Sequence, residues 1–159
     1  MGIIFSILAI TFSAIIHEYM HGWAANQLGD PTAKDAGRLT INPLPHIDLF
    51  GSILLPFLMY LGTGGQMLFA YAKPVPVNPY NLKGKHDEAL VALAGPIANF
   101  FTALVIGLMI RFIPMNNELI VALLGLIVQI NLMLMTFNLL PIPPLDGSKI
   151  LASFFFRNE

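Results

Sequence analysis

The stretch that decides the fold is residues 2–28, GIIFSILAITFSAIIHEYMHGWAANQL. From Gly2 to Ile16 its only polar residues are Ser6, Thr11 and Ser13. Read as a helix it is roughly 40 Å long, enough to cross a hydrocarbon core of about 30 Å. It then acquires His17, Glu18 and His21 before Gly29-Asp30-Pro31 ends it. Gly caps a helix C-terminus well, and Pro cannot continue the helix. Residues 1–6 fit a myristoylation pattern but read first as the start of a membrane helix, and no basic region marks a cleaved signal peptide.

Composition agrees. Hydrophobic residues make up 56 % of the 159 and charged residues 11 %, against about 25 % charged in a soluble domain. Mean hydropathy is +0.73. The chain therefore reads as a small integral membrane protein whose first partner is the lipid bilayer. Eight Lys+Arg against nine Asp+Glu leave no basic stripe for nucleic acid. Cysteine is absent, so any metal ligand must be His, Asp, Glu or backbone oxygen.

Further membrane-length helices are predicted over residues 87–112 and 118–140. The first carries Ala94, Ala98 and Thr102 at a spacing that permits close helix packing. Between them and the first helix lie a polar connector, 30–46, and a short apolar run, 47–62, interrupted by Gly51 and Pro56. The Pro-rich 72–79 segment cannot be helical and fits an extended segment or edge strand. Gly62–Gly65 is a hinge candidate, and 148–156 a short interfacial helix. The expected fold class is an all-α polytopic membrane protein: three transmembrane helices, a re-entrant or half-buried segment and a short extended connector, within one domain over 1–159.

His17-Glu18-Tyr19-Met20-His21 is an H-E-x-x-H run. On a helix the i, i+4 spacing puts both imidazoles on one face, where they can bind one Zn²⁺, and Glu18 can take a proton from water activated by the metal. The bland alternative is a chance pair of histidines, but a carboxylate flanked by imidazoles in an apolar helix is costly without a function. A catalytic zinc usually has three protein ligands. Asp146 is the best third candidate: Pro141, Pro143 and Pro144 break the last helix just before it, and such a break within a membrane is expected to line a cavity. The alternative is an aspartate capping a short helix.

Bringing His17, His21 and Asp146 together requires the first and last helices to run the same way, so residues 47–62 should not cross fully. The positive-inside rule agrees. With three crossings Lys34, Arg38, Lys73, Lys83, Lys85, Lys149 and Arg157 share one side, against Arg111 alone. With four crossings the division is five against three. The N-terminus is then outside and the ligand groups lie toward the cytoplasm. His17 sits about 22 Å along its helix, roughly 8 Å inside the boundary, so a hydrated cleft must reach it.

These residues resemble the site-2 proteases, the family of intramembrane zinc metalloproteases. His17, Glu18 and His21 match its H-E-x-x-H motif, residues 138–147 its N-x-x-P-x-P-x-L-D-G motif, and residues 95–99 its G-P-x-x-N element. The resemblance implies a three-helix catalytic core, one zinc held by His17, His21 and Asp146, Glu18 as general base, and hydrolysis of membrane-associated protein substrates in the cell membrane. Relatives commonly carry further membrane helices beyond the aspartate motif, where this chain has 13 residues. The lack of an inserted PDZ-like domain points to the small prokaryotic type.

Other polar residues admit two readings. Asn138 could donate to the scissile carbonyl or bond between helices. Asn99 reads first as packing, and Gln129 and Asn131 as interhelical hydrogen-bond groups. His46 and Asp48 read as turn-capping ahead of metal-site support or a lid contact. Tyr19 and Trp23 fit an interfacial anchor or a pocket wall. The 72–79 or 47–62 segment could hold an extended substrate by strand pairing. The rival functions are a metal transporter, which would ordinarily show repeat symmetry, and an inactive scaffold.

Overall fold

The computed structural model describes residues 2–64 and 72–155. Gly65 of the hinge candidate, Phe156 and Arg157 lie outside that range. Among the described residues, three helices are long and apolar enough to cross a membrane: α1 (Gly2–Gln27), α4 (Asp87–Phe112) and α5 (Glu118–Asn138). Between α1 and α4 come the short α2 (Thr32–Asp35), a π-helical turn (Leu49–Leu54) and α3 (Leu55–Thr63). A final helix, α6 (Asp146–Phe155), begins at the aspartate motif. The 49–63 helical stretch covers about 22 Å, less than a hydrocarbon core of ~30 Å.

α4 is the centre of the fold, packing against α1, α5 and α6. Its buried line runs through Ala89, Ala92, Gly95, Pro96, Asn99 and Ala103. The small-residue stripe expected at Ala94, Ala98 and Thr102 is only half-buried. Large apolar side chains such as Phe12, Phe101, Leu119 and Met133 face outward. That much exposed apolar surface suits lipid. α1 meets α4 through His17 and His21, in its C-terminal half, whereas α4 contributes Val91 and Asn99 from its N-terminal half. α5 brings Asn138 to the same end. Thus α1 and α5 run in one direction and α4 against them, as the placement of the two ligand groups required.

α1 stops where the sequence said. Gly29 takes φ +104°, open to glycine, and the Asp30 amide folds back onto the Ala25 carbonyl at 2.8 Å. The 72–78 connector is extended and forms no strand among the described residues. It is a strap fastened across the end of α1. Arg38 Nη2 donates to the Lys73 carbonyl (2.7 Å), and the Lys73 amide donates to the His46 carbonyl (2.8 Å). Val75 packs into the notch at Gly22, where a Cβ would stand 2.8 Å from Val75 Cγ1.

Asp30 is the strap's main anchor. Wholly buried, it accepts from the Asn78 amide (2.7 Å), Asn81 Nδ2 (2.7 Å) and the Thr32 hydroxyl and amide. Burial opposes its ionisation, but the bonds from Thr32, Asn81 and Asn78 prevail and hold its carboxyl below the usual range. Such a carboxylate stabilises the fold above its unfolded pKa, and the contribution drains as pH falls toward the folded value. Asp30→Ala should therefore destabilise the solubilised protein by about 2–4 kcal/mol. In thermal unfolding, wild type should lose its advantage over Asp30→Asn on acidification from pH 6 to below 4. A pH-independent difference would contradict the ionised anchor.

Candidate metal centre

His17 and His21 share one face of α1 because they are one helical turn apart. The imidazoles lie edge-to-face with centroids 4.6 Å apart. α4 reaches that close because residue 95 has no side chain. A Cβ there would stand 2.5 Å from His21 Nε2 and 2.7 Å from His17 Nε2.

The Nδ1 atoms are both engaged away from the cluster. His21 Nδ1 donates to the Val91 carbonyl at 2.7 Å, and His17 Nδ1 to Asn99 Oδ1 at 2.6 Å. A carbonyl oxygen only accepts, so each ring carries its proton on Nδ1 and turns the Nε2 lone pair inward. The two Nε2 atoms are 3.0 Å apart, and each is 3.1 Å from Asp146 Oδ2. Three acceptors at such spacing need a cation among them, either a shared proton or a metal. Ligand atoms about 2.0–2.1 Å from a tetrahedral zinc lie roughly 3.3 Å apart. The donor set therefore fits a metal ion of that kind, and His17, His21 and Asp146 form a buried group able to hold one.

Asp146 arrives by a different device. α5 ends at Asn138, the proline-rich 139–145 stretch turns, and α6 starts at Asp146. Gly147 lets this turn close, since a Cβ there would collide with the Leu139 carbonyl. Asp146 is buried, and its Oδ2 stands 3.1 Å from both Nε2 atoms. The other oxygen, Oδ1, faces Lys149 Nζ at 3.7 Å.

A cleft of about 450 Å³ opens beside the cluster. Glu18, Asn138, Val75 and Lys149 line it together with the three candidate ligands. Glu18 Oε2 accepts from the Val75 amide at 2.8 Å. Pro74 and Pro76 have no N–H, so Val75 supplies the one amide hydrogen in that triplet. Asn138 Nδ2 donates to the Leu134 carbonyl of its own helix (3.0 Å), not to another helix.

Asp48 caps the π-helical turn by accepting from the Gly51 amide at 2.7 Å. His46 donates through Nε2 to the Thr40 carbonyl at 2.8 Å. Neither residue lines the cleft, and neither do Tyr19 and Trp23. Asn99 does more than pack, because it holds His17. Gln129 is exposed, and Asn131 makes the interhelical bonds. Val91, Val75 and Gly95 have roles here that their residue types do not announce. The first two act through backbone groups that any residue carries. Gly95 was quoted within its motif, but its purpose depends on which side chains face it.

Gly95→Ala tests the packing of the centre. It should reduce the metal content of purified protein by about tenfold or more, measured by elemental analysis. Wild-type content would mean that the imidazoles do not sit against this glycine.

The sequence matches peptidase family M50 over residues 5–119 and 113–158. It is 36 % identical over 154 residues to "Putative zinc metalloprotease YwhC" of Bacillus subtilis, covering 91 % of this chain and 66 % of that protein. It is 31 % identical over 150 residues to "Putative zinc metalloprotease MJ0611" of Methanocaldococcus jannaschii, covering 93 % of this chain and 69 % of that one. It is 31 % identical over 136 residues to "Putative zinc metalloprotease Rip2" of Mycolicibacterium smegmatis, covering 85 % and 51 %. The chain thus spans about half to two thirds of the length of these relatives. No solved structure matches it. Two motifs that meet in one buried cluster, and a match along nearly the whole chain, lead to one conclusion: this chain belongs to peptidase family M50, the site-2 protease family.

Proposed function

We propose that the chain is a membrane-embedded zinc metalloprotease domain that hydrolyses peptide bonds of membrane-associated proteins. The observation that carries this reading is the meeting of His17 Nε2, His21 Nε2 and Asp146 Oδ2 in a cleft that Glu18 also lines. Three protein ligands leave a zinc a further position, the arrangement of catalytic rather than structural sites. The names of the three relatives support zinc as the metal. Bound zinc supplies Lewis acidity to water and to the scissile carbonyl.

The chain's own groups carry the rest. Glu18 takes the proton of the attacking water as its oxygen bonds to the carbonyl carbon, and returns it to the departing amide nitrogen as the C–N bond breaks. The Val75 amide holds one carboxylate oxygen in place. Asn138 has a second amide hydrogen free to donate to the carbonyl oxygen as it gains charge. The extended strap at 74–77 offers backbone groups along which a substrate strand could lie.

In the bilayer, α1, α4 and α5 cross, the 49–63 stretch enters without crossing, and the cleft faces the cytoplasm with the N-terminus outside. The Lys and Arg distribution supports this orientation.

Glu18→Gln should keep about one zinc per chain and lose peptide hydrolysis by about 10²–10⁴-fold. His17→Ala, His21→Ala and Asp146→Ala should each lose most of the metal. The checks are elemental analysis and cleavage of membrane-spanning substrates by reconstituted protein. Hydrolysis undiminished in Glu18→Gln would overturn the reading. Single cysteines at Lys34 and Lys83 should be labelled from the cytoplasmic side and one at Asn116 from the outside. Labelling of Lys34 and Lys83 from opposite sides would mean that the 49–63 stretch crosses.

A further inference from the structure

Asn131 lies on α5, a helix that supplies none of the three candidate ligands, yet its side chain is wholly buried between α5, α4 and α1. Its hydrogen bonds allow one orientation. Nδ2 donates to the Ile127 carbonyl (2.9 Å) and to Ser13 Oγ (2.9 Å). A backbone carbonyl only accepts, so the nitrogen end faces Ile127 and Oδ1 points the other way, toward α4.

Asn99 receives that direction. Its Nδ2 donates to Asn131 Oδ1 at 2.8 Å and to the Ser13 carbonyl at 3.3 Å. Its Oδ1 is then left facing His17 Nδ1 at 2.6 Å. The ring must carry its proton on Nδ1, and the lone pair falls on Nε2, beside His21 and Asp146. A flipped Asn99 amide would offer an N–H to Nδ1, move the ring proton to Nε2 and take away a ligand. Asn99 and Asn131 are both fully buried, so no water can repair a flip.

Other polar side chains in these helices behave differently. Thr102 and Thr136 bond to carbonyls four residues back in their own helices, Ala98 and Leu132. Such bonds satisfy the hydroxyl and connect nothing. The Asn131–Asn99 pair instead joins a third helix to a candidate ligand.

We propose that Asn131 is a positioning residue for the metal centre: acting through Asn99, it sets the tautomer of His17. This rests on the reading of His17 Nε2 as a zinc ligand. The ladder has two fixed ends, the Ile127 and Ser13 carbonyls, and both are backbone groups that cannot reverse.

The test reads the tautomer and metal retention separately. In metal-free protein labelled with ¹⁵N-histidine, ring nitrogen shifts should show His17 Nδ1 protonated throughout, whichever of the three inward atoms holds the shared proton. Asn131→Leu should give a mixture of tautomers, and zinc should pass to a competing chelator about tenfold faster. Asn99→Leu should release zinc at least as fast. The double variant should be no faster than Asn99→Leu alone, because one relay has been cut twice. Thr136→Ala should behave as wild type. The proposal is overturned if Asn131→Leu keeps the wild-type tautomer and release rate, or if its effect adds in full to that of Asn99→Leu, as independent packing would. Should Asn131→Leu fail to fold, the wild-type spectrum still decides, since a His17 population with unprotonated Nδ1 there contradicts the relay. A wild-type protein with the single tautomer but no zinc affinity would sink the proposed function and leave the relay standing.

Discussion

Two buried imidazoles in an apolar helix present four ring nitrogens, and each of them meets a group of the protein. That constraint orders the rest of the molecule. The Nδ1 atoms are met by α4, through the Val91 carbonyl and Asn99. The Nε2 atoms are met by one another and by Asp146. α4 therefore has to lie within hydrogen-bonding reach of α1, which Gly95 permits, and α5 must end close enough to deliver Asp146. The antiparallel packing of α4 between α1 and α5 follows from these bonds as much as from apolar contact. In lipid, apolar burial supplies little drive between helices, and close packing and interhelical hydrogen bonds carry more of the association.

The strap solves a second problem. A carboxylate such as Glu18, beside a metal centre, needs an orientation but must stay available. One amide, from Val75, holds one oxygen. The flanking prolines bring no competing donors, and the Gly22 notch and the Asp30 anchor fix where that amide lies. Fold stability and site geometry are coupled here: loosening Asp30 frees the segment that aims Glu18.

Much of this was legible in the sequence. The helix ends followed from Gly29-Asp30-Pro31 and the proline cluster after Asn138. The pairing of His17 with His21 followed from their spacing, Asp146 was the candidate third ligand from the helix break and the family resemblance, and the common direction of α1 and α5 was what their meeting required. What was not legible depends on partners. Val91 and Val75 act through the backbone, which leaves no mark on residue type. The packing line of α4 passes through Ala92, Pro96, Asn99 and Ala103 and not through Ala94, Ala98 and Thr102, because the histidines of α1 need the face that holds Gly95 and Asn99. Gln129 and Asn131 looked equivalent, yet only Asn131 is on the side of α5 that faces Ser13 and Asn99.

A metal held by two imidazoles and one carboxylate has a signature in zinc K-edge absorption of the purified, zinc-loaded wild-type protein. The expected spectrum is that of a four-coordinate N/O shell at about 2.0–2.1 Å, with the outer-shell scattering of two imidazole rings. A six-coordinate oxygen shell, or a shell without imidazole scattering, would contradict it.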